Sequence, residues 1–101
     1  MPVENISGRD LSQANLPGSN LEFTDFTFAN LSGANFADSD LSSAGFGFAT
    51  LVNTDFTNAD LSAADFVSAN LTGANFTGAT CTNSTRWPDG TTNNGMICPG
   101  Q

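Results

Sequence analysis

Large apolar side chains recur at every fifth residue along most of the chain, a spacing that fits neither ordinary secondary-structure element. In an α-helix, steps of five spread side chains around the circumference. In a flat β-strand, they alternate between the two faces. The series runs from Ile6 to Cys81 and contains every leucine of the protein. The residue two positions earlier is nearly always small, and the residue between them is usually Asn or Asp.

This pattern predicts a chain that turns after each short extended segment. A small–polar–large triplet points inward, outward and inward, as an extended segment does. The two small or polar residues that follow have to turn the chain, because otherwise the next large residue would point away from the first. Asn, Asp, Ser and Gly suit such corners, since they tolerate turn geometry and bond to nearby backbone. Corners of constant hand stack coil upon coil, so the sequence predicts a β-solenoid filled by the large residues.

The units ANLSG, ADLSA, ANLTG and ANFTG resemble the repeats of the pentapeptide-repeat family, and the resemblance extends from Asn5 to Asn83. It implies an all-β fold, a right-handed four-sided β-helix with about 20 residues in each coil. We therefore expect a solenoid of nearly four coils with a short irregular C-terminal cap. Four sides also agree with the order of the core residues, because Leu and Phe alternate strictly from Leu21 to Phe76. An even number of sides gives each wall one residue type.

The five-residue register is lost after Cys81, where the sequence contains the turn signals PDG and NNG. We predict a repeat domain over residues 1–83 and a capping tail over residues 84–101. In this interpretation Trp87 covers the end of the core. A ligand-binding platform at Trp87 is the alternative.

The two cysteines, Cys81 and Cys98, both lie near the C-terminus. An even pair in a short polar segment favours a disulfide, and two unpaired thiols are the alternative. Paired cysteines favour an oxidising compartment, namely the periplasm, the thylakoid lumen or the extracellular space. Unpaired cysteines favour the cytoplasm.

Charge and composition exclude several classes of function. The formal net charge is −8, and histidine is absent. Such a charge opposes direct nucleic-acid binding and attachment to an anionic membrane surface, and no apolar run approaches the ~20 residues that span a bilayer. Without histidine, neither a Ser-His-Asp triad nor a cysteine–histidine zinc site can form. We predict no enzyme activity, and no catalytic residue, metal or cofactor.

Three phenylalanines outside the core series predict a contact surface. Phe28 and Phe48 are 20 residues apart, so a four-sided coil stacks them on one outer edge. Exposed aromatic clusters are typical of interaction sites, and coverage by the chain's own tail is the alternative. The candidate interaction surface comprises Phe23, Phe28, Phe48, Val52 and Val67.

Acidic residues are expected to gather on two adjoining walls of the four-sided coil. The candidate acidic surface comprises Glu22, Asp25, Asp40, Asp60 and Asp65. Asp40 and Asp60 lie one coil apart, so their carboxylates are expected side by side. Surface charge that follows from the repeat is the simpler interpretation, and a weak cation site or acid–base pair is the alternative.

The preferred hypothesis is a non-catalytic structural or protein-interaction module, with a protein partner or a second copy bound at the aromatic surface. The family resemblance also implies an alternative, an acidic mimic of duplex DNA that binds a type II topoisomerase such as gyrase. The net charge of −8 fits this alternative. The short repeat and a tail unlike the dimerising element of such relatives count against it.

Overall fold

The computed structural model describes residues 5–90 and 98–99. Within these residues the chain forms no helix and no strand of several residues, and its coils pair through isolated parallel bridges. Each bridge from Asn5–Asp25 to Asp60–Thr80 joins residues 20 apart. The bridging residue is the one that precedes each large apolar residue, so every coil contains four five-residue units.

One unit shows how the corner is made and how the coils are joined. The backbone N–H of Phe26 donates to the carbonyl of Gly45 on the next coil at 2.7 Å, and that of Phe28 donates to Gly47 at 2.9 Å. The N–H of Ala29 closes the turn on the carbonyl of Phe26 at 2.9 Å. The same bonds recur along the described repeats, so each corner is held by both its own turn and the neighbouring coil.

The second residue after each large one adopts the left-handed backbone conformation. From Gly8 to Gly78, at every fifth position, φ lies between 56° and 72°. Glycine reaches this region freely, and Asn and Asp tolerate it better than other residues. The conformation explains why Gly, Asn, Asp and Ser are common at this position, which we call the corner.

The core consists of phenylalanines and leucines that are completely buried in the central coils. Phe46 stacks at 4.9 Å on Phe26 and at 5.0 Å on Phe66. A second column contains Phe36, Phe56 and Phe76, with ring centroids 5.7 and 5.2 Å apart. The two stacked columns that the alternation of Leu and Phe predicted are therefore present. Rings of the two columns meet edge to face, a favourable geometry for aromatic pairs.

The repeat continues beyond the point where the sequence predicted its end. Asp65 pairs with Arg86, 21 residues later, whereas Asp60 pairs with Thr80. One inserted residue thus separates the last two bridges, and Thr85, Arg86 and Trp87 form a further small–polar–large triplet. The five-residue register shifts after Cys81, as predicted, and coil pairing continues past residue 83 to Arg86. A single-residue shift hid the triplet from a search for a strict period of five.

A disulfide joins Cys81 and Cys98, with their Cα atoms 5.4 Å apart. Cys81 occupies the core position of its unit and is 3% exposed, while Cys98 is 2% exposed. The bond holds residue 98 against the end of the solenoid. The NNG turn signal lies outside the described residues.

Buried hydroxyl groups at the small inward position bond the preceding coil. The hydroxyls of Ser39, Thr54 and Thr85 each donate to the carbonyl of a core leucine at 2.8 Å. Thr24 occupies an equivalent position and is fully buried. Within the part of the chain that the structure describes, its Oγ1 has no hydrogen-bond partner.

We expect opposite effects when these two threonines are replaced by valine. Thr54→Val removes a buried hydrogen bond and is expected to lower the free energy of unfolding by about 1 kcal/mol. Thr24→Val removes a buried hydroxyl that has no hydrogen-bond partner among the described residues, so it is expected to raise the free energy of unfolding by about 1 kcal/mol. Urea unfolding followed by circular dichroism measures both. Equal losses in the two variants would show that the Thr54 hydrogen bond does not stabilise the protein.

Candidate interaction surface

Three exposed phenylalanines occupy corners, where the backbone is least suited to them. Phe23, Phe28 and Phe48 have φ values of 63°, 61° and 57° and are 53%, 64% and 53% exposed. A bulky residue in the left-handed region is unusual, and most other corners carry Gly, Asn, Asp or Ser. The left-handed conformation belongs to every corner from Gly8 to Gly78, so it is the exposed aromatic side chains that make these three corners candidates for function.

Backbone pairing places two of the three rings against each other. The N–H groups of Phe28 and Phe48 each donate to a carbonyl of the following coil at 2.9 Å. Their rings stack with centroids 4.9 Å apart and planes 12° from parallel. Phe23 lies at the preceding corner, so the wall between the corners carries Asp25 and Thr27.

The two valines of the candidate surface lie in different places. Val67 is half-buried on the same wall as Asp25, and its carbonyl accepts the N–H of Phe48. Val52 is half-buried on the next unit along the chain, where its carbonyl accepts the N–H of Gly33 at 2.8 Å. The structure thus joins Val67 to the phenylalanine pair and places Val52 on the adjoining wall.

The aspartates of the candidate acidic surface hold the backbone that leads into each corner. The Oδ1 atom of Asp40 accepts from the N–H and the hydroxyl of Ser42, and Asp60 accepts in the same way from Ser62. Asn70 makes the same two bonds with Thr72. The local structure therefore requires a side-chain oxygen at this position and does not require a negative charge.

Bridge pairing separates the acidic residues into two groups. Asp40 and Asp60 are direct bridge partners, whereas Asp25 and Asp65 are each paired with Gly45. Glu22 follows Asn20, the bridge partner of Asp40, and is half-buried. The candidate acidic surface thus occupies two successive walls, one of which also carries the exposed phenylalanine corners.

Hydrogen bonds from the residue two positions later lower the pKa of two aspartates, Asp25 and Asp10. The hydroxyl of Thr27 and then its backbone N–H bond to Asp25 and hold the pKa of that carboxyl below its usual value. The backbone N–H and then the hydroxyl of Ser12 lower the pKa of Asp10 in the same way. Bonds to the charged form of a carboxyl favour ionisation, so Asp25 is a carboxylate at neutral pH.

Trp87 stacks on Phe66 with ring centroids 5.3 Å apart and planes 3° from parallel, and it meets Phe76 edge to face at 5.8 Å. It is half-buried. The indole therefore extends one phenylalanine column by one ring. The described residues enclose no pocket at Trp87 or elsewhere.

Neither a metal site nor a membrane-spanning helix is present in residues 5–90 and 98–99. These residues contain no group of three or more side chains that could hold a metal ion. Within the same residues, no helix has the length and hydrophobicity needed to span a bilayer. The described surface does carry exposed phenylalanine side chains beside aspartate carboxylates.

Sequence analysis did not identify two glycines that lie between the phenylalanine corners. Gly45 and Gly47 flank the buried Phe46. The equivalent residues are Asp25 and Thr27 on the preceding coil, and Asp65 and Val67 on the following coil. The wall has no side chain at these two positions, which we call the glycine notch. The segment GFGF departs from the polar positions of the repeat, and this was the signal that could have revealed it.

Comparisons with known proteins agree with the coil geometry. A family model described as pentapeptide repeats matches residues 5–42 and 39–78. A pentapeptide repeat protein from Nostoc Pcc 7120 is 30% identical, with a TM-score of 0.79 over 90% of this chain and 76% of that chain. No curated protein matches significantly.

Two further solved structures are similar. A pentapeptide repeat protein from the thylakoid lumen of Arabidopsis thaliana is 39% identical, with a TM-score of 0.69 over 79% of this chain and 59% of that chain. A pentapeptide repeat protein from Cyanothece 51142 is 24% identical, with a TM-score of 0.58 over 82% of this chain and 90% of that chain. The last similarity concerns the fold alone.

Proposed function

Because the chain belongs to the pentapeptide repeat family, we propose that it is a non-catalytic protein-interaction module, a right-handed four-sided β-helix. It binds a protein partner through Phe23, Phe28 and Phe48. The observation that carries this proposal is the position of these rings, exposed at corners in the left-handed conformation.

Folding alone does not account for these phenylalanines. A left-handed conformation costs a residue with a side chain roughly 1–2 kcal/mol. Stacking of Phe28 on Phe48 offsets part of this cost, but all three phenylalanines remain more than half exposed. Asn53 and Asn58 occupy equivalent corners, so a residue with better backbone preference fits the same fold. Aromatic residues are enriched at protein interfaces, where burial by a partner contributes to binding.

The end of the solenoid has a separate, structural role in this proposal. Trp87 caps the core by covering Phe66, and the Cys81–Cys98 disulfide holds the cap in place. Disulfides persist in oxidising compartments, and the similar Arabidopsis thaliana protein comes from the thylakoid lumen. We therefore place the protein in an oxidising compartment.

Selection from a phage library of random dodecapeptides tests the interaction surface. The test variant combines Phe23→Asn, Phe28→Asn and Phe48→Asn, which suit the corner backbone as Asn53 and Asn58 do. We expect peptides selected on the wild type to bind this variant at least about tenfold more weakly. Gln13→Asn, at a corner that carries no phenylalanine, is expected to bind them like the wild type.

The proposal is wrong if no peptide is enriched on the wild type, or if the enriched peptides bind the triple variant equally well. Circular dichroism of the triple variant verifies that the coil is intact. Its thermal midpoint is expected to stay close to that of the wild type, because asparagine relieves backbone strain at the corner while the stacking of Phe28 on Phe48 is lost.

A further inference from the structure

The glycine notch lies between two carboxylates on the proposed interaction surface. Gly45 is the bridge partner of both Asp25 and Asp65. Paired backbones lie about 4.8 Å apart, so Asp25 and Asp65 are separated by roughly 10 Å along the wall. No side chain stands between them, because the middle residue is glycine.

The fold does not require glycine in the notch. A Cβ atom at Gly45 would lie 3.7 Å from Oδ1 of Asp25, and one at Gly47 would lie 3.5 Å from Cγ1 of Val67. Both are ordinary contacts, and neither glycine has a positive φ. Gly45 also lacks the side-chain oxygen with which Asn and Asp support the corner elsewhere. The notch therefore gives up a local interaction, and the side chains of Asp25, Thr27 and Val67 lie against it beside the phenylalanine pair.

Asp65 has more free acceptor capacity than the equivalent aspartates. Asp10, Asp25, Asp40, Asp55 and Asp60 are each followed two positions later by Ser or Thr, whose hydroxyl donates to the carboxylate. Asp65 is followed by Val67, which offers only its N–H at 3.0 Å. Its bridge partner on the side away from the notch is the exposed Arg86, and its partner on the notch side is Gly45, which has no side chain.

We propose, building on the interaction function above, that the partner is a foreign protein segment presenting an arginine or lysine. The cationic group lies over Gly45 between Asp25 and Asp65, and its aliphatic stem and an apolar neighbour contact Phe28 and Phe48. Carboxylates form strong charge-assisted hydrogen bonds with such groups. Aromatic faces also attract cations, and the long stems of Arg and Lys pack on apolar surface.

Charge favours this occupant over a second copy of the chain. Each copy carries a net charge of −8, so two copies repel each other as they approach. A basic segment is attracted by the same field, which raises its association rate. The surface therefore fits a cationic partner better than it fits itself.

The composition of the selected dodecapeptides tests this inference. We expect Arg or Lys next to an apolar residue in the enriched peptides, and weaker binding as sodium chloride rises because salt screens exposed charges. The affinity of one selected synthetic peptide, measured by isothermal titration calorimetry, is then compared between two variants. Asp25→Asn/Asp65→Asn is expected to weaken binding about tenfold. The matched control Asp40→Asn/Asp60→Asn is expected to change it by less than about twofold.

These variants alter charge and leave the turns in place, since Asn30 and Asn35 accept the same backbone N–H in this fold. Gly45→Asn fills the notch with a residue common at this position and is expected to reduce binding as strongly as the loss of both carboxylates. Enriched peptides that lack Arg and Lys, or equal effects of the two charge variants, would overturn the inference and leave the interaction surface itself supported. A wild-type dimer in sedimentation that is lost in Phe28→Asn/Phe48→Asn would identify a second copy as the occupant instead.

Discussion

Replacing Phe46 with alanine is expected to lower the free energy of unfolding by about 3–5 kcal/mol. Phe46 is fully buried and stacks between Phe26 and Phe66. It also meets Phe36 and Phe56 edge to face, at 6.2 and 5.8 Å. The surrounding backbone is hydrogen-bonded to coils on both sides, so it cannot collapse into the space that the ring leaves. Native domains are stable by only about 5–15 kcal/mol, so this single change removes a large share of the total.

The matched control is Leu16→Ala in the first coil. Leu16 belongs to the same core series but is only partly buried, so we expect a loss of about 1–2 kcal/mol, less than for a fully buried leucine. Urea unfolding followed by circular dichroism measures both variants. If Phe46→Ala lowers the free energy of unfolding by no more than Leu16→Ala does, the core is not packed most tightly in the central coils.

The coil could be predicted from the sequence because a single physical requirement repeats along it. Each large residue has to reach the interior, and the residues after it have to turn the chain. Corner preferences at positions such as Gly33 and Asn58 agree with this requirement, and both have positive φ. The resemblance to the pentapeptide-repeat family supplied four sides, and the alternation of Leu and Phe agreed with an even number of sides. Phe26 and Phe46 stack because the coil returns after 20 residues. The local preference for turns at the corners and the long-range stacking of core residues therefore both predicted the same coil.

The end of the repeat could not be predicted in the same way. The triplet Thr85, Arg86 and Trp87 is displaced by one residue, and nothing local distinguishes it from a tail. Its position is set by the preceding coil: Phe66 donates its N–H to Arg86 at 2.8 Å and stacks on Trp87. Such contacts depend on residues that are distant in sequence, and a fixed period does not report them.

The acidic residues show why net charge was a poor guide to function. Asp40 and Asn70 make equivalent bonds to the residues that follow them. The choice between Asp and Asn therefore changes the charge of the rod with little effect on its backbone. A net charge of −8 thus gives no specific support to the DNA-mimic hypothesis. The glycine notch is more informative, because the repeat itself does not explain it.

Reduction of the Cys81–Cys98 disulfide is expected to lower the free energy of unfolding by about 3 kcal/mol. The two cysteines are 17 residues apart, and the estimate follows from the entropy that an uncrosslinked loop of this length gains in the unfolded state. The loop includes Trp87, which covers Phe66. In the reduced protein we therefore expect the cap to unfold before the coil. The fluorescence of Trp87 should then change at a lower urea concentration than the circular dichroism of the coil.

Comparing the oxidised and reduced wild type isolates the crosslink, because both forms keep the same side chains. The double variant Cys81→Ala/Cys98→Ala also loses the packing of two buried side chains, so it is expected to be less stable than the reduced protein and insensitive to dithiothreitol. Equal urea midpoints for the oxidised and reduced wild type would show that the disulfide does not stabilise the cap. If the reduced protein loses its tryptophan fluorescence and its circular dichroism at the same urea concentration, Trp87 unfolds together with the whole solenoid. In that case stacking on Phe66 is sufficient to hold the cap without the disulfide.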